Sequence, residues 1–396
     1  MRLGFTPEQE AFRHEAADWL RGQLDGPFAK LKNLKSQSAM PDERRAWERA
    51  LHDGGWSVVG WPREHGGRGA SLAEQVIFAE EYARAGAPGR MSHIGVELAG
   101  PTIIHFGSPE QKVRFLPKMA SGEEFWAQGY SEPNAGSDLG SVRTRADLQG
   151  GEWVVNGQKI WTSLAQYADW IFVLARTEPG STGPKGLSFL LMPIRQPGIT
   201  IRPIRQINGE AEFNETFFDD ARTAEENVVG GVGNGWQVAM GLLAFERGVS
   251  TLGQQMGFIA EYDGVVAAAK ANGAIDDPAI RRRLTDAYAG LRIMRYTALR
   301  TLSAAEGHSL SREAMTQKVY WANWYRSLGE LAMDVAGQAG EVSEPDADHL
   351  PMLQNLFLST RASTIYGGTN QIQRNLIAER GLGLPREPRG DGGIRT

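Results

Sequence analysis

Apolar positions along the chain change their spacing twice. From Thr6 to about Gly122 they recur at helical intervals: Thr6-Pro7-Glu8 reads as an N-cap, a first-turn proline and an acidic first turn. Phe12, Ala16, Trp19 and Leu20 then share a face. Ser108-Pro109-Glu110 opens another helix in the same way, and further helices are predicted at 41–54 and 71–85, separated by clusters such as Trp61-Pro62 and His65-Gly66-Gly67. Between about Glu123 and Gly235 the runs shorten. Asn156-Gly157, between Trp153–Val155 and Gln158–Trp161, predicts a hairpin, because both residues tolerate positive φ. Strand-like runs at 170–176, 187–193, 199–204 and 214–218 predict a sandwich or barrel. From Trp236 helices return at 236–271, 278–307, 311–336 and 350–365, with a shorter one at 369–380, which predicts a bundle. The expected fold is a multidomain α+β chain: a helical domain over 1–122, a β-domain (barrel or sandwich) over 123–235, a four-helix bundle over 236–384 and a disordered Pro/Gly/Arg-rich tail over 385–396.

Composition narrows the class. The 396 residues are 41% hydrophobic, enough to bury a full core, and at roughly 150 residues per domain the length fits two or three domains. A net charge of −5 without a basic stripe argues against nucleic-acid binding. With no cysteine the chain has no disulfide, thiolate nucleophile or cysteine-held metal. The charged N-terminus lacks the apolar stretch of a signal peptide and no run is long enough to span a bilayer, so a soluble, cytoplasmic protein is expected.

The chemistry-bearing candidates are few. Seven histidines show no ligand spacing, so no metal site is expected. The glycine-rich 230–235 stretch matches no phosphate-loop pattern and reads as a helix-entry turn. Glu246 lies four residues after Leu242 and seven after Ala239, within an apolar stripe, so its carboxylate is either buried or cavity-facing, as a general base would be, or sits at the helix edge paired to a distant cation. Three segments remain: Tyr130-Ser131-Glu132-Pro133-Asn134-Ala135-Gly136-Ser137-Asp138 where helix gives way to strand, Trp161-Thr162-Ser163 after a strand, and Ile365-Tyr366-Gly367-Gly368-Thr369-Asn370-Gln371 between helices. Each is taken alone as an ordinary turn, core residue or cap, or as a wall that lets a flat or phosphorylated ligand approach the backbone.

In this order, YSEPNAGSD, NGQKIWTS and YGGTNQIQR resemble the acyl-CoA dehydrogenase family over nearly the whole chain. The resemblance implies FAD between the β-domain and the helical parts, and α,β-dehydrogenation of an acyl-CoA thioester to the trans-2-enoyl-CoA, in fatty-acid or steroid side-chain catabolism. Electrons would pass to an electron-transfer flavoprotein. It also implies that Gln128, Tyr130 and Ser131 line the flavin edge, that Trp161 and Ser163 lie near its N5 side, and that Thr369 and Gln371 lie toward the FAD pyrophosphate. Ser137, Arg247 and Gly368 would face the substrate. An oxygen-using flavoenzyme of the same fold and a non-catalytic subunit are the alternatives.

Two departures from the commoner family pattern shape the reading. Many members carry the base as Glu in a Y-E-G-T segment, where this chain has Gly367. A branch that includes isovaleryl-, long-chain and steroid side-chain dehydrogenases is similar to this chain in placing Glu before Arg on the first bundle helix, which selects Glu246-Arg247 as base and neighbour. Homotetrameric members hold the neighbour's FAD with an R-x-x-F-G arginine and a Q-x-x-G-G glutamine. Here those places read Glu261-Tyr262-Asp263-Gly264-Val265-Val266 and Asp334-Val335-Ala336-Gly337-Gln338-Ala339-Gly340, and an Asp beside a pyrophosphate repels it. The assembly is therefore expected to be a heteromer with a second acyl-CoA dehydrogenase-like subunit, or a homo-oligomer with altered contacts.

Overall fold

The computed structural model describes residues 4–34, 36, 39–245, 251–304, 312–342 and 351–386. Two compact units emerge, residues 5–253 and residues 254 onward.

The first unit begins with helices α1 (Pro7–Leu24), α2 (Pro41–Asp53) and α3 (Leu72–Arg84). A π-helical turn at Ile94–Ala99 runs into α4 (Gly100–Phe106), and α5 (Pro109–Ala120) follows. Thr6, Ser71 and Ser108 each close a capping box with Gln9, Glu74 and Gln111, which satisfies first-turn donors that would otherwise face water. Ala16, Leu20, Leu24, Trp47, Leu51, Trp56 and Phe78 form the core among α1–α3.

The strands are β1 (Trp126–Gly129), β2 (Arg145–Gln149), β3 (Glu152–Ser163), β4 (Trp170–Arg176), β5 (Leu187–Pro193), β6 (Ile199–Ile204), β7 (Phe213–Ala224) and β8 (Val228–Val229). They join one eight-stranded sheet in the order β6-β7-β3-β2-β4-β5-β8, with β1 parallel to β4. Strand β4 is buried on both faces: Phe172 and Leu174 pack with the π-turn, α4, α5 and α6 (Gly235–Phe245), while Ile171, Val173 and Ala175 pack with Trp153, Val155 and Met192.

The expected hairpin at Asn156-Gly157 is corrected. Strand β3 runs through this dipeptide, and the β2–β3 reversal is made by Gly150-Gly151, both at positive φ. Gly157 lies at φ +148°, outside the hairpin-turn region, at a bulge against β7, and a side chain there would overlap Thr144.

The second unit holds α7 (Thr251–Ala271) from Gln254 on, α8 (Pro278–Ala304), α9 (Arg312–Ala336), α10 (Met352–Thr360) and α11 (Asn370–Leu376). Val265, Ala269, Leu284, Leu328, Leu331, Val335 and Leu356 make a shared core of α7–α10. Most of the predicted tail, 387–396, lies outside the described residues. No helix among the described residues is long and apolar enough to cross a membrane.

Candidate functional site

Strand β1 carries Gln128 and runs into Tyr130 and Ser131. Tyr130 is buried against Phe172 and Phe189, with ring centroids 5.6 and 6.2 Å away. The Ile160 amide donates to the Ser131 carbonyl at 2.9 Å, so the turn after β1 lies beside the end of β3, where Trp161 and Ser163 stand.

A buried lysine fixes that arrangement. Lys159 is fully buried, and its Nζ donates to the Tyr130 carbonyl (2.9 Å), the Leu174 carbonyl (2.8 Å) and Glu132 Oε1 (2.9 Å). Glu132 also accepts from the Arg143 and Thr144 amides at 2.7 and 2.8 Å. Burial lowers the Lys159 pKa to about 8 against the opposing attraction of Glu132. Burial also pushes the Glu132 carboxyl upward, but the Lys159 charge and the bonds it accepts outweigh that and hold it below the usual carboxylate range. This pair was not a sequence candidate. A lysine inside a strand gives no sign of complete burial, since lysines are almost always at least partly exposed.

The second bulge of β3, between Lys159 and Thr162, turns Trp161 outward. Its backbone adopts φ +62°, a costly conformation for a bulky residue, and its indole is 55% exposed, edge-on to Phe213 at 6.0 Å. Thr162 is anchored beneath: the Asn214 side chain donates to its carbonyl at 3.0 Å and the Thr216 hydroxyl to its Oγ1 at 3.2 Å. Thus Gln128, Tyr130, Ser131, Trp161 and Ser163 are brought together on neighbouring strand ends. Ser137 is exposed in the following segment, beside the Ser141–Asp138 hydrogen bond (2.7 Å).

This donor set fits a flat, polar-edged group such as an isoalloxazine. The exposed indole offers a plane, and the Gln128 amide and the Ser131 and Ser163 hydroxyls have no side-chain partner among the described residues.

In the second unit, Thr369 caps α11, its hydroxyl accepting from the Ile372 amide at 3.2 Å, and Gln371 is exposed in the first turn. Gly367 and Gly368 lie at φ +61° and +94°. A Glu at 367 would adopt that backbone only with strain. Glu261 accepts from the Tyr325 hydroxyl at 2.8 Å, and Asp334 is paired with Arg283. Glu246 and Arg247 fall outside the described residues, whereas Ala239 and Leu242, the helical positions ahead of them, are fully buried.

The acyl-CoA dehydrogenase N-terminal domain matches residues 6–123, the middle domain 127–221 and the C-terminal domain 233–382. The chain belongs to the acyl-CoA dehydrogenase family, whose members are flavin-dependent oxidoreductases with a helical N-terminal domain, a middle β-sheet domain and a C-terminal helical domain. Over 387 residues it is 55% identical to acyl-CoA dehydrogenase IpdE1 of Mycobacterium tuberculosis (strain ATCC 25618 / H37Rv), covering 96% of this chain and 99% of that one. Among solved structures it is similar to the Tcur3481-Tcur3483 steroid ACAD (TM-score 0.86, 31% identity, 98% of this chain and 100% of that one). It is also similar to the ChsE4-ChsE5 complex from Mycobacterium tuberculosis (TM-score 0.82, 31% identity, the same coverage).

Proposed function

We propose that the chain catalyses FAD-dependent α,β-dehydrogenation of an acyl-CoA thioester, with Glu246 as the base that removes the α-proton. The observation that carries this reading is the exposed Trp161 plane at φ +62°, set beside the pinned Tyr130–Ser131 turn. When bound, FAD supplies the two-electron acceptor for the hydride leaving Cβ. Gln128, Tyr130, Ser131, Trp161 and Ser163 hold its ring, and Thr369 and Gln371 serve its pyrophosphate. Ser137, Arg247 and Gly368 face the thioester. An apolar surround raises a carboxylate's basicity toward the range a general base needs, and the buried Ala239 and Leu242 ahead of Glu246 are consistent with such a surround.

The similarity to the Tcur3481-Tcur3483 steroid ACAD and to the ChsE4-ChsE5 complex supports a steroid-derived or similarly polycyclic acyl group and a heteromeric assembly with a second subunit of the same family. The carboxylates Glu261 and Asp334 support the same assembly, standing where homotetrameric relatives place groups that hold the neighbour's cofactor. Electrons then leave to an electron-transfer flavoprotein.

The test is Glu246→Gln in the flavin-loaded complex, followed by anaerobic acyl-CoA titration at the flavin absorbance band. Turnover and bleaching fall by about a thousandfold or more while flavin stays bound. A flavin-replete variant that still bleaches at the parent rate removes Glu246 from the role.

A further inference from the structure

The helix leading into α4 leaves the α-helical path at Ile94–Ala99. Such a widened turn accommodates an extra residue at a cost and recurs at functional sites. Ile94, Gly95, Val96, Leu98 and Ala99 are buried, and a side chain at Gly95 would press on Met119 and Trp126, which seats the turn closely on β1. Glu97 is the exception. It is exposed, and its carboxyl makes no hydrogen bond or ion pair among the described residues.

The basic side chains near it, Arg90 and His93, hydrogen-bond to other groups. Arg90 donates to Glu48 at 2.7 Å, to the Ser57 carbonyl at 3.1 Å and to the Ser92 hydroxyl at 3.1 Å, and His93 Nδ1 is bonded to the Arg90 carbonyl at 2.8 Å. Although the side chain reaches solvent, crowding by protein removes enough hydration to raise the Glu97 pKa, against the opposing pull of His93 and Arg90. The π-turn packs on β1, which delivers Gln128 and leads into Tyr130–Ser131, and on α6, whose last described residue directly precedes Glu246. Glu97 is therefore an unpaired acid built into the layer that carries the candidate site.

We infer that Glu97 is a specificity residue whose carboxyl binds an oxygen function, a hydroxyl or a ketone, on the acyl group of the thioester. The inference rests on the acyl-CoA reading above. A protonated carboxyl donates to a ketone and an ionised one accepts from a hydroxyl, whereas a purely hydrocarbon acyl group would cover the acid and leave it without a partner. A site built around a polar group discriminates against the analogue that lacks it more strongly than an apolar pocket discriminates by size.

The experiment uses the full chain with its partner subunit and three polycyclic acyl-CoA thioesters that differ at one ring position: hydroxyl, ketone or hydrogen. Binding is measured by calorimetry and turnover separately. The parent prefers the oxygenated thioesters by about tenfold or more. Glu97→Leu removes that preference, and Glu97→Gln, which is isosteric and can both donate and accept, keeps most of it. Equal oxygenated-to-deoxy ratios in the parent and Glu97→Leu overturn the inference even where every thioester is turned over. Discrimination in binding without turnover of any thioester sustains it and overturns the dehydrogenase reading instead.

Discussion

Lys159 and Glu132 carry more of the candidate site than their place in the sequence announces. With Lys159 fully buried and joined to two carbonyls and a carboxylate, Lys159→Met leaves Glu132 without its charge partner, and a loss of about 3–5 kcal/mol is expected in urea denaturation. The ammonium titrates near pH 8, which lysine-selective NMR reads directly. Between about pH 8 and the ordinary lysine value of 10.5, the unfolded chain holds a proton that the folded chain has released, so this group's contribution to stability rises with pH across that window. Glu132 works in the opposite range: its folded pKa is depressed, so its contribution is complete above the ordinary carboxylate value and is lost as pH falls through the lowered one. The segment Tyr130–Asp138 was legible in the sequence as a turn. The lysine that pins it was not, because strand alternation does not say which inward position ends in three oxygen acceptors rather than in water.

At the scale of elements, the caps and strand periods were readable. Thr6 and Ser108 start their helices where the pattern placed them, and 170–176, 187–193 and 199–204 are strands to the residue. Asn156-Gly157 misled because local turn chemistry and long-range pairing compete, and the twelve-residue ladder to β7 prevails by absorbing Gly157 as a bulge. The four-residue β1 was missed for a related reason: it gains its partner, β4, only through a parallel pairing distant in sequence. Since a Cβ at Gly157 would stand 2.6 Å from Thr144 Oγ1, Gly157→Ala should cost about 1–3 kcal/mol in thermal or urea unfolding, with Gly22→Ala as a comparison at a site with open space and no positive φ. The π-turn at Ile94–Ala99 was equally hidden, since five apolar or small residues around one glutamate carry no spacing that separates a π-turn from an α-helix.

For the whole molecule, flavin content per chain reads the assembly directly. Expressed alone, the chain is expected to carry little flavin, and co-expressed with a second subunit of its family it should form a yellow complex with fewer flavins than chains by light scattering and absorbance. A fully loaded homotetramer would refute the heteromer. Gln111 on α5 donates to the Glu226 and Val228 carbonyls at 2.7 and 2.9 Å, and β1 waits for β4. A growing polypeptide emerges N-terminus first. Helices α1–α3 share a core of their own, but α5 cannot complete its bonding until about a hundred further residues have left the ribosome, which makes pausing or truncation ahead of residue 226 a route to an exposed, aggregation-prone α5 face.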